Sequence, residues 1–66
     1  MTNILKLLRI KQNIGQAEMA EKVGVSRQTI HSIESGRFVP STLLALKLAR
    51  VLQVKVEDLF FLEEND

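Results

Sequence analysis

Three glycines and one proline are the strong breakers in this chain, and where they fall decides what it folds into. Gly15, Gly24, Gly36 and Pro40 cut the sequence into short pieces, and the apolar spacing inside those pieces is helical. Ile4, Leu5 and Leu8, with Leu7 and Ile10 widening the stripe, predict a first helix over 3–13. A second covers Gln16 to Lys22, with Met19, Ala20 and Val23 inward. Gly24 ends it in the left-handed conformation that glycine adopts without a Cβ clash. Ser26 is placed to cap a third helix running to Ser35, terminated by Gly36. Ser41, after Pro40, caps a fourth. Its Leu43, Leu44, Leu46, Leu48, Val51 and Leu52 make it apolar nearly all round, so it is expected to be buried on more than one side. A short fifth helix is expected over Val56 to Phe60. The stretch Phe61-Leu62-Glu63-Glu64 either extends as a strand or frays.

At 66 residues the chain is expected to be a single all-α domain, 1–66, burying only a modest fraction of its surface. It has no cysteine, so neither a disulfide nor a thiolate metal site adds to the core. Stability must come from well-packed helices, a partner subunit, or both. Apolar residues make up 45% of the sequence, more than one small core requires, which favours a buried subunit interface. No apolar run approaches membrane-spanning length and the N-terminus lacks a signal-peptide pattern, so a cytoplasmic location without a membrane partner is expected. The net charge of +1 conceals an asymmetry. All the basic residues lie within residues 1–56, whereas Glu57, Asp58, Glu63, Glu64 and Asp66 crowd the end of the chain. That distribution fits a basic face for phosphate with an acidic end held away from it, or an ordinary soluble surface.

The informative stretch is Gln16 to Gly36. Two helices crossing steeply over a tight turn need a small residue where they approach, a glycine in the turn and apolar side chains facing inward on both. The chain supplies Met19, Ala20 and Val23 on one helix, Gly24 and Val25 in the turn, and Ile30 and Ile33 on the other. This run, Gln16-Ala17-Glu18-Met19-Ala20-Glu21-Lys22-Val23-Gly24-Val25-Ser26-Arg27-Gln28-Thr29-Ile30 with Ile33-Glu34-Ser35-Gly36, resembles the Cro/C1-type (XRE-like) helix-turn-helix family of phage and bacterial repressors. Pro40-Ser41, Leu44-Ala45-Leu46-Lys47-Leu48-Ala49 and Val56-Glu57-Asp58-Leu59-Phe60 extend the likeness to its short stand-alone members, including the cytolysin-type repressors. The resemblance implies a five-helix lambda-repressor-like fold, a homodimer and a palindromic double-stranded DNA operator. Some short members pair strands from the chain termini, which would give Phe61 to Glu64 a place at the dimer interface.

Carried over position by position, the resemblance makes Gln16 a phosphate ligand at the start of the second helix. Arg27, Gln28, Thr29 and Ser32 fall on the outer side of the third. Gln28 suits an adenine edge, Arg27 guanine or phosphate, and Thr29 a thymine methyl or a phosphate. Ser35 and Arg37, with Lys11, would add backbone contacts. Ser26 is first a helix cap and second a DNA ligand, and His31 flanks the surface either as a contact or as an exposed side chain without a duty. Phe38, before Pro40, reads as a loop anchor ahead of a base-stacking residue. Arg9 and Glu34 match a family ion pair between the first and third helices. Leu7, Val51, Phe60, Phe61 and Leu62 are the candidates for the dimer interface.

Three positions depart from the family pattern. Gly15 stands where serine or threonine usually caps the second helix, Gln53 replaces the usual glycine or asparagine after the fourth, and Lys55 replaces a capping residue before the fifth. An enzyme has little to stand on, with one histidine, no Gly-rich phosphate loop and no metal-ligand spacing. No cofactor, metal or small-molecule ligand is implied. The competing function is a protein-binding module on the same fold, an antitoxin or adaptor. Acids or bulky apolar groups on the third helix would favour it, whereas Arg27, Gln28, Thr29 and Ser32 favour DNA.

Overall fold

A computed structural model describes residues 1–66. The chain forms strand β1 (Thr2–Asn3), helices α1 (Leu5–Lys11), α2 (Gln16–Val23), α3 (Arg27–Glu34) and α4 (Thr42–Leu52), a 3₁₀ turn at Val56–Asp58, and strand β2 (Phe60–Phe61). The two strands pair antiparallel, Thr2 opposite Phe61 and Asn3 opposite Phe60. The molecule is thus mostly helical with a small sheet that joins its two ends.

The helix boundaries follow from local chemistry. Ser26 and Ser41 each accept a bond from the backbone N–H three residues on, of Thr29 and Leu44 respectively, both at 3.2 Å. Gly24 closes α2 with a φ of +77°, which suits a residue without a side chain. Gln53 closes α4 at φ 59°, paying for a left-handed conformation that glycine would adopt without strain.

α1 is shorter than the 3–13 span that periodicity predicts, for a reason at each end. The Asn3 carboxamide accepts from Leu5 N–H at 3.1 Å and donates to the Ile33 carbonyl at 2.9 Å, so residue 3 caps the helix from within the sheet. Asn13 takes a φ of 58°, a conformation asparagine tolerates better than most residues, and this bends the chain into α2.

One cluster of twelve buried apolar side chains forms the core. Leu5 comes from α1, Met19, Ala20 and Val23 from α2, and Ile30 and Ile33 from α3. α4 adds Leu44, Leu48, Ala49 and Leu52, and Leu59 and Phe60 close it from the C-terminal side. Full burial of one such large side chain stabilises the fold by roughly 1.5–3 kcal/mol.

Two further expectations are corrected. α4 is buried along one face only, because Leu43 and Leu46 remain 64% and 55% exposed. Its continuous apolar pattern therefore reflects a core face plus an open apolar face. The fifth helix is a single 3₁₀ turn, closed by the bonds Asp58 N–H to Lys55 C=O and Leu59 N–H to Val56 C=O, each 3.0 Å. Lys55 offers no side-chain acceptor to start a longer helix. The chain is then drawn off into the sheet, where the Leu59 carbonyl accepts from Ile4 N–H at 3.1 Å.

Candidate nucleic-acid interface

α2 and α3 are joined by a three-residue turn, with Val25 N–H donating to the Ala20 carbonyl at 3.0 Å across it. Ala20 is 3% exposed, and Met19, Ile30 and Ile33 are sealed completely. The inner sides of both helices are thus fixed by packing, which determines what the outer side of α3 can present.

That outer side is polar. Arg27, Gln28, His31 and Ser35 are exposed, Thr29 and Ser32 are half-buried, and Arg37 is exposed just beyond the helix. Two shallow depressions flank Gln28. One, of about 170 Å3, is lined by Gln16, Arg27, Gln28 and His31. The other, of about 200 Å3, is lined by Gln28, Thr29, Ser32 and Phe38. The sequence places the first six of these residues at the surface and ranks Phe38 as a loop anchor ahead of a base-stacking role. Its aromatic ring stands 46% exposed, more open than an anchor for the loop requires.

Several of the other candidates are already engaged. Ser26 Oγ accepts from Thr29 N–H and lies 3.0 Å from Thr29 Oγ1, so its hydroxyl is committed to the helix start. Ser35 Oγ donates to the Ser32 carbonyl at 3.1 Å. The Gln16 side chain donates to Glu34 Oε1 at 3.1 Å, which leaves its backbone N–H, at the start of a helix that Gly15 does not cap through a side chain, as the freer phosphate donor.

Glu34 is the only acid on α3, and it is turned away from the outer side. Arg9 donates from Nε to Oε2 at 2.7 Å and from Nη2 to Oε1 at 3.2 Å, a fork on a carboxylate, and from Nη1 to the Ile14 carbonyl at 2.8 Å. The two side chains are 8% and 4% exposed. No buried side-chain nitrogen or oxygen lacks a partner. The charge of Glu34 is therefore neutralised inside, and α3 shows no negative group outward.

The candidates for a subunit interface are not gathered in one place. Leu7, on α1, and Leu62, after β2, are 62% and 82% exposed, and Phe61 is 39% exposed. Val51 is half-buried against the core, and Phe60 is 8% exposed and belongs to the core itself. An apolar groove of about 260 Å3 lies along α4, with Val39, Ala45, Leu46 and Val56 in its walls, and of the five candidates only Phe60 lines it. No helix is long and apolar enough to cross a membrane.

Comparison with known proteins agrees with this geometry. The helix-turn-helix family model matches residues 5–59. An uncharacterized HTH-type transcriptional regulator of Bacillus subtilis, YgzD, is 47% identical over 66 residues, covering all of both chains. One from Methanocaldococcus jannaschii is equally similar over the same extent. Among solved structures, the restriction-modification controller protein C.AhdI from Aeromonas hydrophila superposes with a TM-score of 0.78 at 30% identity, covering 85% of each chain. The P22 c2 repressor protein, solved in complex with a synthetic operator, also gives 0.78 at 30% identity, covering 80% of each.

Proposed function

The chain belongs to the Cro/C1-type helix-turn-helix family of transcriptional regulators, and on that footing we propose that it is a sequence-specific repressor that binds a palindromic operator as a homodimer. Residues 1–66 act as one DNA-binding domain, with α3 in the major groove. The observation that carries this is the inward, neutralised Glu34. With that carboxylate held by Arg9 and Gln16, the outer side of α3 offers only cationic and neutral hydrogen-bonding groups to a polyanion.

Roles divide by chemistry. Gln28, at the centre of the outer side, reads a base edge, and Arg27, Thr29 and Ser32 flank it. Arg37 and the backbone N–H of Gln16 fix the register on phosphates, Ser35 joins them by turning its hydroxyl away from the Ser32 carbonyl, and His31 borders the same depression as Arg27. Ser26 serves as a cap that sets the start of α3. The solved P22 c2 repressor–operator complex supports DNA as the partner.

The homodimer is motivated by the open apolar face of α4. Leu46 and Val39 stand 55% and 59% exposed at the groove, an open apolar surface of the kind that a second subunit covers. Two copies joined there would present their α3 helices to successive major grooves, about 34 Å apart. Sedimentation equilibrium at micromolar concentration is expected to give a dimer, and Leu46→Glu a folded monomer. A monomeric wild-type protein would remove this part of the proposal.

The test of the whole is selection of bound sites from a random duplex library at near-physiological salt. An inverted repeat with half-sites one turn apart is the expected result. No enrichment by folded protein would instead favour a protein-binding adaptor or antitoxin.

A further inference from the structure

The depression of about 170 Å3 beside Gln28 holds the one histidine of the chain. His31 is exposed and lines it with Gln16, Arg27 and Gln28, and none of the four is an acid. It lies one turn along α3 from Arg27, so the two side chains stand on the same side of the helix. Across the depression α2 begins at Gln16, and its first N–H groups receive no bond from the Gly15 cap. The acids of both elements lie elsewhere. On α3, Glu34 is turned inward and held by Arg9 and Gln16. On α2, Glu18 is exposed in the first turn and outside the lining.

Imidazole is the side chain that ordinarily changes charge near neutral pH. In the free protein the lining offers an imidazolium no anionic partner. A DNA phosphate seated at the start of α2 supplies one, and an anion beside an imidazole favours its charged form. Resting on the reading of α3 as a recognition helix, we propose that His31 makes DNA binding proton-linked, taking up a proton as it meets a backbone phosphate in this depression. The sign follows from which state holds the proton more tightly. The added affinity is complete at acid pH, where the imidazole is charged before DNA arrives. It is lost as pH rises and the complex no longer takes the proton up. The Met1 ammonium, raised above its ordinary 8.0, stays charged throughout this range and lies at the paired chain ends. His31 therefore gives the operator contact a dependence on pH that Gln28 and Arg27 lack.

The test titrates the duplex enriched by selection with the wild type, His31→Gln and His31→Arg, at about pH 5.5 and about pH 7.5. Position 31 is exposed on a helix, so both replacements keep the fold, which circular dichroism at each pH checks. The wild type is expected to bind about fivefold more tightly per protomer at the lower pH, the effect of a proton held about tenfold more tightly in the complex. Its affinity should also fall more steeply with salt there, by up to about 0.9 in the logarithmic slope per protomer. His31→Gln should bind independently of pH and match the wild type at the higher value. His31→Arg, charged throughout, should also be independent of pH and bind more tightly than His31→Gln. An enriched duplex that the wild type binds equally at both pH values overturns the proton-linked contact and leaves the recognition role of α3 standing. So does a pH dependence that survives in His31→Gln. Absence of any enriched duplex overturns both.

Discussion

The α2–α3 unit and the terminal sheet are held together by different physics. In the first, two helices close over fully buried side chains, and the forked Arg9–Glu34 pair lies almost wholly out of water. In the second, two strands of two residues each pair through the ends of the chain. The Met1 ammonium reaches Glu63 Oε1 at 2.9 Å and Asp66 Oδ2 at 2.8 Å, and these groups are open to solvent. A charge pair inside the fold is screened little and is expensive to break, whereas one at the surface is screened by salt and adds little. The α2–α3 unit is thus held in one geometry, whereas the outermost charge pairs of the ends open at small cost.

Removing one partner of the buried pair should separate the two regions most sharply. Glu34→Ala leaves the Arg9 guanidinium buried with only the Ile14 carbonyl, and a loss of about 3–5 kcal/mol is expected in denaturant unfolding, enough to unfold a domain this small. A variant that keeps wild-type stability would show that water reaches this pair freely. Ala20→Leu comes next. At 3% exposure the added carbons must push α2 from α3, costing about 1–3 kcal/mol and lowering affinity for the selected DNA. Equal affinity with lowered stability would mean that the spacing of the two helices does not position α3.

Smaller still is Ser26→Ala, which removes the acceptor for Thr29 N–H and should cost about 1 kcal/mol by thermal melting, with little change in the α3 backbone. The smallest effect belongs to the ends. The Met1 ammonium is raised above its ordinary value of 8.0 by its bonds to Asp66 and Glu63, and Asp66 is lowered below 3.8 by its bond to that ammonium. The contribution of the ammonium is therefore complete below pH 8.0 and is lost as pH rises through its raised value. That of Asp66 is complete above pH 3.8 and is lost as pH falls through its lowered value. Amide exchange at Thr2 and Phe61, compared with that of α3 on a common intrinsic-rate scale, should show lost protection in strong salt or at alkaline pH, while α3 stays protected. Parallel loss in both would show that the two regions open as one.

The same contrast explains what the sequence reveals. The α2–α3 unit is written in neighbours: Ser26 three residues before Thr29, Gly24 at the end of α2, Ile30 and Ile33 on one side. Such signals act within a turn or two and can be read along the chain. The ends depend on partners most of the chain apart. Nothing local says that Asn3 will meet the Ile33 carbonyl, or that Leu59 will accept from Ile4 and shorten a helix to a 3₁₀ turn. Phe38 reads first as a loop anchor for the same reason, since its place beside Gln28 follows from the loop's return to the Ser32 carbonyl. Periodicity also could not tell which apolar side of α4 is covered within the chain and which, with Leu43 and Leu46, is left open.

The central claim is that the outer side of α3 reads bases, and the most direct measurement is site selection repeated with Gln28→Ala beside the wild type, with non-specific binding titrated in parallel. The account predicts that preference relaxes at one base position of the half-site, by about 1–3 kcal/mol of discrimination, while the other positions and non-specific affinity persist. An unchanged site preference, or an equal loss of binding on every sequence, would contradict it.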